Sequence, residues 1–426
     1  KNFFCISSFQ ALVMFRRGLF YSYLSIYLRN FLNLSVTETS LFATFPMLVN
    51  ILFQTFVWGK LSDRLQKRRT LIVFGELAAG IITFFIWVLH LVPPSLRAAG
   101  YVVILGLTFL EIFWSMSNLG WTALVSDLYP DKKRAEIQGK FTSLGGVGRV
   151  IGVWIGGLAY DGLSRYYPGW GFHQGLLFFI ASGVMLVSTI PMFFVPEGGV
   201  GLTGAGDKMK QALMGNCKKA ANYSKPLILF LISLVFVNFG RNSVAIIISQ
   251  YLTLPQGFNV SSSTLSYIVN ASSISVILTG VSVGVLKRKL SDRSLFLTGI
   301  ISAITTLTLY SQANHLFFVF VASFLNGFTF VILFASSYSY IARLIPPEKR
   351  GRQFALYNAT RFLSWGIPAT FITGPLIDLM IKFGFPQVYS YRLSFLVAAV
   401  TVSLGIFFFF WADRIIKNHP GASDAN

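Results

Sequence analysis

The sequence is poor in charged residues. Asp, Glu, Lys and Arg make up 12% of its 426 residues, whereas a soluble globular chain contains about 25% of them. A surface that faces water on all sides cannot be built from so few charges, and the composition also excludes a disordered or fibrous chain. The 54% of hydrophobic residues indicates a bilayer as the solvent, since stretches of about 20 apolar residues span its hydrocarbon core.

Residues for covalent or metal chemistry are scarce as well. Cys5 lies in an apolar run and Cys217 in a basic stretch, so we expect neither a disulfide nor a cysteine metal site. The four histidines fall at the ends of apolar segments or in the C-terminal tail. No nucleophile triad and no phosphate-binding Gly-rich loop is present. We therefore predict that the chain is not an enzyme, binds no cofactor or metal, and does not drive transport with ATP.

Twelve apolar segments follow one another along the chain. They cover residues 3–28, 37–58, 70–92, 99–126, 139–160, 173–195, 226–252, 263–286, 294–312, 315–342, 353–379 and 390–412. In lipid a segment must satisfy its own backbone polar groups, so all are predicted as helices. The predicted fold class is an all-α membrane protein with 12 transmembrane helices. A polar linker, residues 197–225, separates an N-terminal six-helix bundle (1–196) from a C-terminal one (226–426).

The basic residues are distributed unevenly about these segments. Of 35 Lys and Arg residues, 25 lie at the termini, in the linker or in the loops after even-numbered segments, and 5 lie in the other loops. Cytoplasmic loops carry the excess of Lys and Arg in membrane proteins. We therefore predict a multi-pass protein of the plasma (inner) membrane with both termini and the linker in the cytoplasm. The net charge of +20 reports this orientation and requires no nucleic-acid partner.

The two halves of the chain repeat one another. The residues Phe15, Arg17, Tyr27 and Leu28 recur 224 positions later as Phe239, Arg241, Tyr251 and Leu252. The residues Pro130, Lys133 and Arg134 recur 216 positions later as Pro346, Lys349 and Arg350. Two homologous six-helix halves are typical of a transporter that rocks about a site near the membrane midplane.

The loop after the second segment carries a motif that runs Gly59-Lys-Leu-Ser-Asp63-Arg64-Leu-Gln66-Lys67-Arg68-Arg69. Together with the six-plus-six plan, it resembles the loop between helices 2 and 3 of the major facilitator superfamily. That loop has Gly, three residues, Asp-Arg, one residue, Gly and two basic residues; Gln66 departs from the pattern where the family has Gly. The resemblance implies a cytoplasmic gating latch formed by Gly59, Asp63, Arg64, Lys67 and Arg68. The alternative is a solvated orientation signal without a gating role.

Three arginines lie near the centres of apolar segments. Arg16, Arg17 and Arg241 each cost roughly 2.5–3.5 kcal/mol on insertion scales, so we expect them to face a cavity or a partner. In the superfamily that the chain resembles, helices 1, 4, 7 and 10 line the cavity. Arg17 and Arg241 are then similar to the paired arginines of organophosphate–phosphate antiporters, which implies a phosphate-, carboxylate- or sulfonate-bearing substrate. Arg16 and Arg17 are adjacent, and we expect only one of them to face the site.

The remaining candidates are two acidic residues and five polar or aromatic ones. Glu111 and Glu76, in the fourth and third segments, are predicted proton-coupling residues because burial favours protonation of a carboxyl group. A permanent salt bridge of Glu111 with Arg16 or Arg17 is the rival interpretation. Further predicted substrate contacts are Trp114, Asn118, Asn238, Asn326 and Tyr338.

The sequence therefore predicts a secondary active transporter that works by alternating access. We expect a small or amphiphilic organic anion as the substrate, with a proton as symported ion or a counter-substrate in antiport, and a monomer in the lipid bilayer. Two alternatives stay open: proton-coupled efflux or flipping of a lipophilic drug or lipid, and a transporter-like sensor or scaffold.

Overall fold

The computed structural model describes residues 2–129, 131–199, 225–344 and 350–417, and within them it is built from helices without strands. The helices of the first half are α1 (Asn2–Ile26), α2 (Val36–Phe53), α3 (Gly59–Leu65), α4 (Arg68–His90), α5 (Leu96–Leu128), α6 (Asp131–Tyr160), α7 (Trp170–His173) and α8 (Leu176–Met192). Two π-helical turns, Tyr27–Phe31 and Gln54–Trp58, extend α1 and join α2 to α3.

The second half has a matching series of helices. They are α9 (Lys225–Ala245), α10 (Ile248–Leu252), α11 (Ser262–Lys289), α12 (Asp292–Gln312), α13 (Leu316–Leu344), α14 (Arg350–Leu363), α15 (Gly374–Lys382) and α16 (Gln387–Lys417). A π-helical turn, Ala369–Thr373, precedes α15.

The predicted all-α fold is confirmed, and helical structure lies in each of the twelve predicted segments. Ten helices of the described chain are long and apolar enough to cross a membrane. The sixth segment contains the shorter α8, of 17 residues. The eleventh is interrupted between α14 and α15, where Gly366 has a φ of +89° and Pro368 follows. A left-handed residue and a proline both prevent a continuous helix at this point.

The described residues form two compact units. The first contains the residues up to Leu34 and those from Phe45 to the end of the first half; the second contains Ser35–Thr44 and the second half. The opening turns of α2 thus belong to the second unit. There the carboxylate of Asp378 accepts the backbone N–H groups of Val36 and Thr37, at 3.0 and 2.8 Å.

Close packing of α1 against α6 shapes the core of the first unit. Gly148, Gly152 and Gly156 are four residues apart and turn one face of α6 towards α1. A Cβ atom added at Gly152 would lie 2.0 Å from the carbonyl oxygen of Phe15, and one at Gly148 would lie 2.2 Å from that of Ala11. Only glycine allows the two backbones to approach this closely in lipid. This contact positions the part of α1 that carries Arg16 and Arg17.

The internal repeat is visible in the backbone. Asn33 and Asn259 both adopt a positive φ, +57° and +47°. In each half the residue that follows donates its N–H back across the turn, Leu34 to the carbonyl of Leu28 and Val260 to that of Leu252, both at 3.1 Å. Both asparagines therefore precede the helix that begins the next span, as polar residues suited to the left-handed conformation.

Candidate functional site

Two adjacent arginines of α1 converge on one tryptophan of α5. The Cζ atoms of Arg16 and Arg17 lie 4.2 and 4.5 Å from the ring centroid of Trp114. Adjacent residues on a helix point about 100° apart, yet both guanidinium groups reach this ring. Whether one or both of them face a substrate stays a prediction. Their long side chains bend towards the same ring, and cation–π attraction favours both contacts. The ring of Tyr21 lies parallel to that of Trp114, with centroids 6.5 Å apart.

The two guanidinium groups are incompletely hydrogen-bonded. Nη1 of Arg16 donates to the sulfur of Met185 at 3.5 Å, a weak acceptor. Nε and Nη2 of Arg16 and Nε of Arg17 are buried without any hydrogen-bond partner. A small cavity of about 10 Å³ lies beside Arg16 and Tyr21. A buried N–H donor of a charged group costs free energy while it is unpaired, so an acceptor that reached these atoms would be bound favourably.

Glu76 binds the indole N–H of Trp114, while the two arginines lie over the ring. Its Oε1 accepts the indole N–H of Trp114 at 3.0 Å and the hydroxyl of Ser117 at 2.8 Å. Glu76 is only 1% exposed, and its Oε2 has no hydrogen-bond partner. The carboxylate thus orients the ring that carries both arginines. Sequence reasoning identified Glu76 but not Ser117 or this arrangement, which depends on the packing of α4 against α5.

Glu111 has a different environment. It is 6% exposed, and its Oε1 accepts a hydrogen bond from the side-chain amide of Asn50. Among the described residues, the ion pairs within 4.0 Å do not include Glu76, Glu111, Arg16 or Arg17. The rival interpretation of a permanent Glu111–arginine salt bridge is therefore not seen. Asn50 carries no sequence signal that marks it as the partner.

The second unit contains an arginine–ring contact at the equivalent position. Arg241, the repeat partner of Arg17, has its Cζ atom 5.9 Å from the ring centroid of Phe330. Phe330 follows Trp114 by 216 residues, the spacing of the repeat in this part of the chain. Nε of Arg241 is also buried without a partner. Each unit therefore places the arginine of its first helix on an aromatic ring of its fourth span.

The other predicted contacts are distributed between the two units. In the first, the half-buried Asn118 accepts the hydroxyl of Thr122 through its backbone carbonyl. In the second, Asn238 and Asn326 are half-buried, and the ring of Tyr338 packs edge-on against that of Tyr357 at 6.4 Å. Arg361 of α14 also contacts an aromatic ring of α13. Its Cζ atom lies 4.2 Å from the ring centroid of Phe334.

The motif loop between α3 and α4 forms a network centred on Arg68. This residue is buried, and its guanidinium donates to the carbonyl and hydroxyl of Ser62 and approaches the carboxylate of Asp127 at 3.4 Å. Gln66, at the position where the family has Gly, adopts the left-handed conformation with a φ of +54°. The turn therefore forms without glycine. Asp127 was not a candidate from the sequence because it lies 59 residues from Arg68.

The remaining motif residues are less constrained. Arg64 and Lys67 are exposed, and Gly59 follows the π-helical turn, where an added Cβ atom would lie 3.0 Å from the carbonyl of Gln54. Asp63 is in the last turns of α3, and its side chain lies outside the described part of the chain. The latch prediction for Asp63 therefore stays a prediction. In the second half the same sequence, Leu-Ser-Asp-Arg, recurs at residues 290–293, but Asp292 begins α12, so the two stretches are not structurally equivalent.

A second ion pair fastens the end of the first bundle to this loop. The Arg69 guanidinium lies 3.1 Å from the Glu197 carboxylate, which also accepts the N–H and hydroxyl of Thr70. Partial burial by itself raises the pKa of Glu197, but the hydrogen bonds from Thr70 and the charge of Arg69 outweigh it and hold that pKa below its ordinary value. The carboxylate is therefore charged at neutral pH.

Comparisons with known proteins agree with this architecture. The family model of the Major Facilitator Superfamily matches residues 6–367 and 230–425. No curated protein matches the sequence. A bacterial homolog of the human lysosomal transporter Spinster, solved in an inward-facing and unoccupied conformation, has a TM-score of 0.72 at 15% identity, with 97% of this chain and 96% of that chain covered.

Two further solved structures share the fold. The nucleoside transporter NupG has a TM-score of 0.71 at 12% identity, with 97% of this chain and 99% of that chain covered. A bacterial metal transporter has a TM-score of 0.63 at 13% identity, with 97% and 98% covered. At these identities the likeness concerns the fold.

Proposed function

We propose a substrate class and a mechanism from the premise that this chain belongs to the Major Facilitator Superfamily. As a member it is a multi-pass integral membrane protein and a transporter rather than an enzyme. The proposal is secondary active transport of an organic anion by alternating access. It includes a monomer in the plasma membrane. The asymmetry of the basic residues supports the cytoplasmic position of both termini.

The observation that carries the proposal is the pair of guanidinium groups at Trp114. Arg16 and Arg17 present buried N–H donors without partners, and neither has a carboxylate within 4.0 Å in the described chain. Two positive charges within a membrane span are costly unless a counter-charge reaches them. A carboxylate, phosphate or sulfonate has the several acceptor oxygens that a guanidinium fork binds. We assign Arg17 and Arg16 to this role, and Arg241 to the same role in the second unit.

Ligand-induced thermal stabilisation of the purified protein tests the anion proposal. The panel contains phosphate esters, carboxylates, sulfonates, sugars and lipophilic cations, each measured on wild type, Arg17→Ala and Arg241→Ala. Arg165→Ala is the matched control, because Arg165 is an exposed arginine of a turn between helices. We expect an anion to stabilise wild type and the control, and to bind at least about tenfold more weakly to both span variants, since a hydrogen bond to a charged group is lost.

The opposite result has a clear meaning. Stabilisation by a neutral lipophile or a cation that survives Arg17→Ala and Arg241→Ala would contradict the anion proposal. It would favour efflux or flipping of a lipophilic molecule instead.

We further propose that Glu111 and Glu76 couple transport to protons. Both carboxyl groups are buried, neither is in an ion pair within 4.0 Å, and Oε2 of Glu76 has no partner in the described chain. Each can therefore change its protonation state without breaking a salt bridge. Glu76 accepts the indole N–H of Trp114 and can still do so when it is protonated, whereas Glu111 is bonded to Asn50. Protonation of Glu76 therefore acts directly on the partner of the Trp114 ring, and protonation of Glu111 does not.

Uptake into proteoliposomes with and without an imposed pH gradient tests the coupling. We expect Glu111→Gln to abolish the response of uptake to the gradient while substrate exchange at equal pH persists. Glu38→Gln is the matched control, because Glu38 caps the start of α2 through the N–H of Ser35 and Gln can replace Glu in such a capping box. Unchanged proton-driven uptake in both Glu111→Gln and Glu76→Gln would remove these residues from the coupling role.

A further inference from the structure

One face of α13 in the second unit is aromatic and exposed. Asn326, Phe330, Phe334 and Tyr338 follow one another at intervals of four residues, so their side chains share one side of the helix. The three rings are 45%, 44% and 51% exposed. By exposure and composition alone, this face could contact lipid tails.

Two arginines from other helices lie on these rings. Arg241 of α9 lies over Phe330, and Arg361 of α14 lies over Phe334, one helical turn further along. Because Phe330 and Phe334 are neighbours on one face, the two guanidinium groups are brought near each other, and their positive charges repel. This arrangement is stable only where an anion or water meets it, since lipid tails solvate neither charge.

Carboxylates do not neutralise this pair in the described part of the second unit. Asp292 accepts the hydroxyl of Ser339, Asp378 accepts backbone N–H groups at the start of α2, and Asp413 pairs with Arg293 at 3.0 Å. The ion pairs within 4.0 Å among the described residues include neither Arg241 nor Arg361. The first unit differs here, because Glu76 accepts the indole N–H of Trp114 and Glu111 lies on the same helix as Trp114.

A polar contact adjoins the Tyr338 end of this face. The hydroxyl of Tyr357 lies 2.9 Å from that of Ser337, and the Tyr357 ring meets the ring of Tyr338 edge-on. The α13 stretch from Phe330 to Tyr338, with the side chains that pack on it from α9 and α14, therefore combines two cations, exposed rings and tyrosine hydroxyl groups. This combination matches a ligand that joins an anionic group to a planar apolar one.

We infer that this face is a half-site for aromatic anions, in which Arg361 together with Arg241 binds the anionic group and the exposed rings of Phe334 and Tyr338 contact an aromatic ring of the substrate. The inference rests on the proposed function, since it takes the cargo to be an organic anion, and narrows that cargo to aryl carboxylates, aryl sulfonates or aryl phosphates. It assigns to Arg361 a role in substrate binding.

Matched ligand pairs test this inference on the purified full chain by thermal-shift titration. The pairs are benzoate with acetate, benzenesulfonate with methanesulfonate, and phenyl phosphate with methyl phosphate; methyl phenyl sulfone is the uncharged aromatic control. The variants are Arg361→Gln and Phe334→Leu. Phe324→Leu is the matched control, because Phe324 is exposed on α13 but lies ten residues, about 15 Å along the helix, before Phe334.

We expect wild type to bind the aromatic member of at least one pair about tenfold more tightly than its aliphatic partner, from ring burial and ring–ring contact. Arg361→Gln should weaken both members by about tenfold or more through loss of a charge-assisted hydrogen bond. Phe334→Leu should remove the preference for the aromatic member and leave the aliphatic affinity unchanged. Phe324→Leu should behave as wild type.

Three outcomes would overturn the inference, and the first two leave the proposed function standing. Equal affinity for both members of every pair, with binding that still depends on Arg17, would leave anion transport standing and remove the aromatic half-site. A wild-type preference in Phe334→Leu would do the same, and this variant decides the matter even if Arg361→Gln does not fold. Stabilisation by methyl phenyl sulfone alone, with no anion effective, would contradict both proposals.

Discussion

Single polar side chains within the spans take their roles from neighbours that are distant in the sequence. Trp114 contacts Glu76 through its indole N–H and both Arg16 and Arg17 through its ring. The sequence places Arg16 and Arg17 in the middle of an apolar segment, and charged residues are rare there. It could not show that both side chains would bend to one ring, since adjacent positions on a helix diverge and only tertiary packing selects the rotamers.

Gln66 provides a test at the residue scale. A left-handed backbone costs a residue with a Cβ atom about 1–2 kcal/mol. Glycine would remove this strain, but its greater freedom in the unfolded chain would cancel part of the gain. We expect Gln66→Gly to raise the free energy of unfolding by about 0.5–1 kcal/mol, measured by denaturant unfolding in mixed micelles.

Asn33→Gly is the control for this change. Asn33 has a similar φ, +57°, but asparagine tolerates the left-handed region, so its gain should be smaller. A loss of stability in Gln66→Gly would show that the contact of the Gln66 amide with Arg68, at 3.4 Å, outweighs the backbone strain.

At the scale of helices, the glycine face of α6 determines how close α1 can come. Gly148, Gly152 and Gly156 have the four-residue spacing typical of a close helix contact, and the structure identifies α1 as the partner. The eleventh span was predicted as one segment, but Gly366 and Pro368 divide it. Hydropathy detects the apolar length of a segment and does not register a local break in its backbone.

The matched test at this scale compares two identical substitutions. Gly152→Ala should destabilise the protein by about 1–3 kcal/mol, because the new Cβ atom overlaps the backbone of α1 and forces the helices apart. Gly183→Ala in α8 meets no heavy atom within 4 Å, so we expect no loss there. Thermal unfolding of the two variants gives the comparison, and equal stabilities would contradict the assigned role of the α1–α6 contact.

At the scale of the whole molecule, the repeat has diverged in its charges while its geometry persists. Arg17 with Trp114 and Arg241 with Phe330 occupy equivalent positions in the two units. The first unit adds two buried carboxyl groups, whereas the described second unit adds Arg361 instead. The two units therefore differ in the charged groups that they place beside these aromatic rings.

The predicted orientation can be tested on the whole molecule by cysteine labelling. In a Cys5→Ser, Cys217→Ser background, Arg165→Cys should react with a membrane-impermeant thiol reagent on intact cells. Arg64→Cys should react only after permeabilisation, because the excess of Lys and Arg places its loop in the cytoplasm. Both arginines are exposed. Labelling of Arg64→Cys on intact cells would reverse the assigned topology.

The sequence by itself determined the membrane environment, the helical class, the twofold repeat and the family, because hydropathy, charge asymmetry and motif spacing are properties of neighbouring residues. Only the tertiary structure decided that Arg16 and Arg17 share Trp114, that Asn50 binds Glu111, and that Arg361 joins Arg241 on one face of α13. These groups lie on different helices, and the energy of bringing them together comes from helix packing. No local pattern of residues records which helix becomes the neighbour of which.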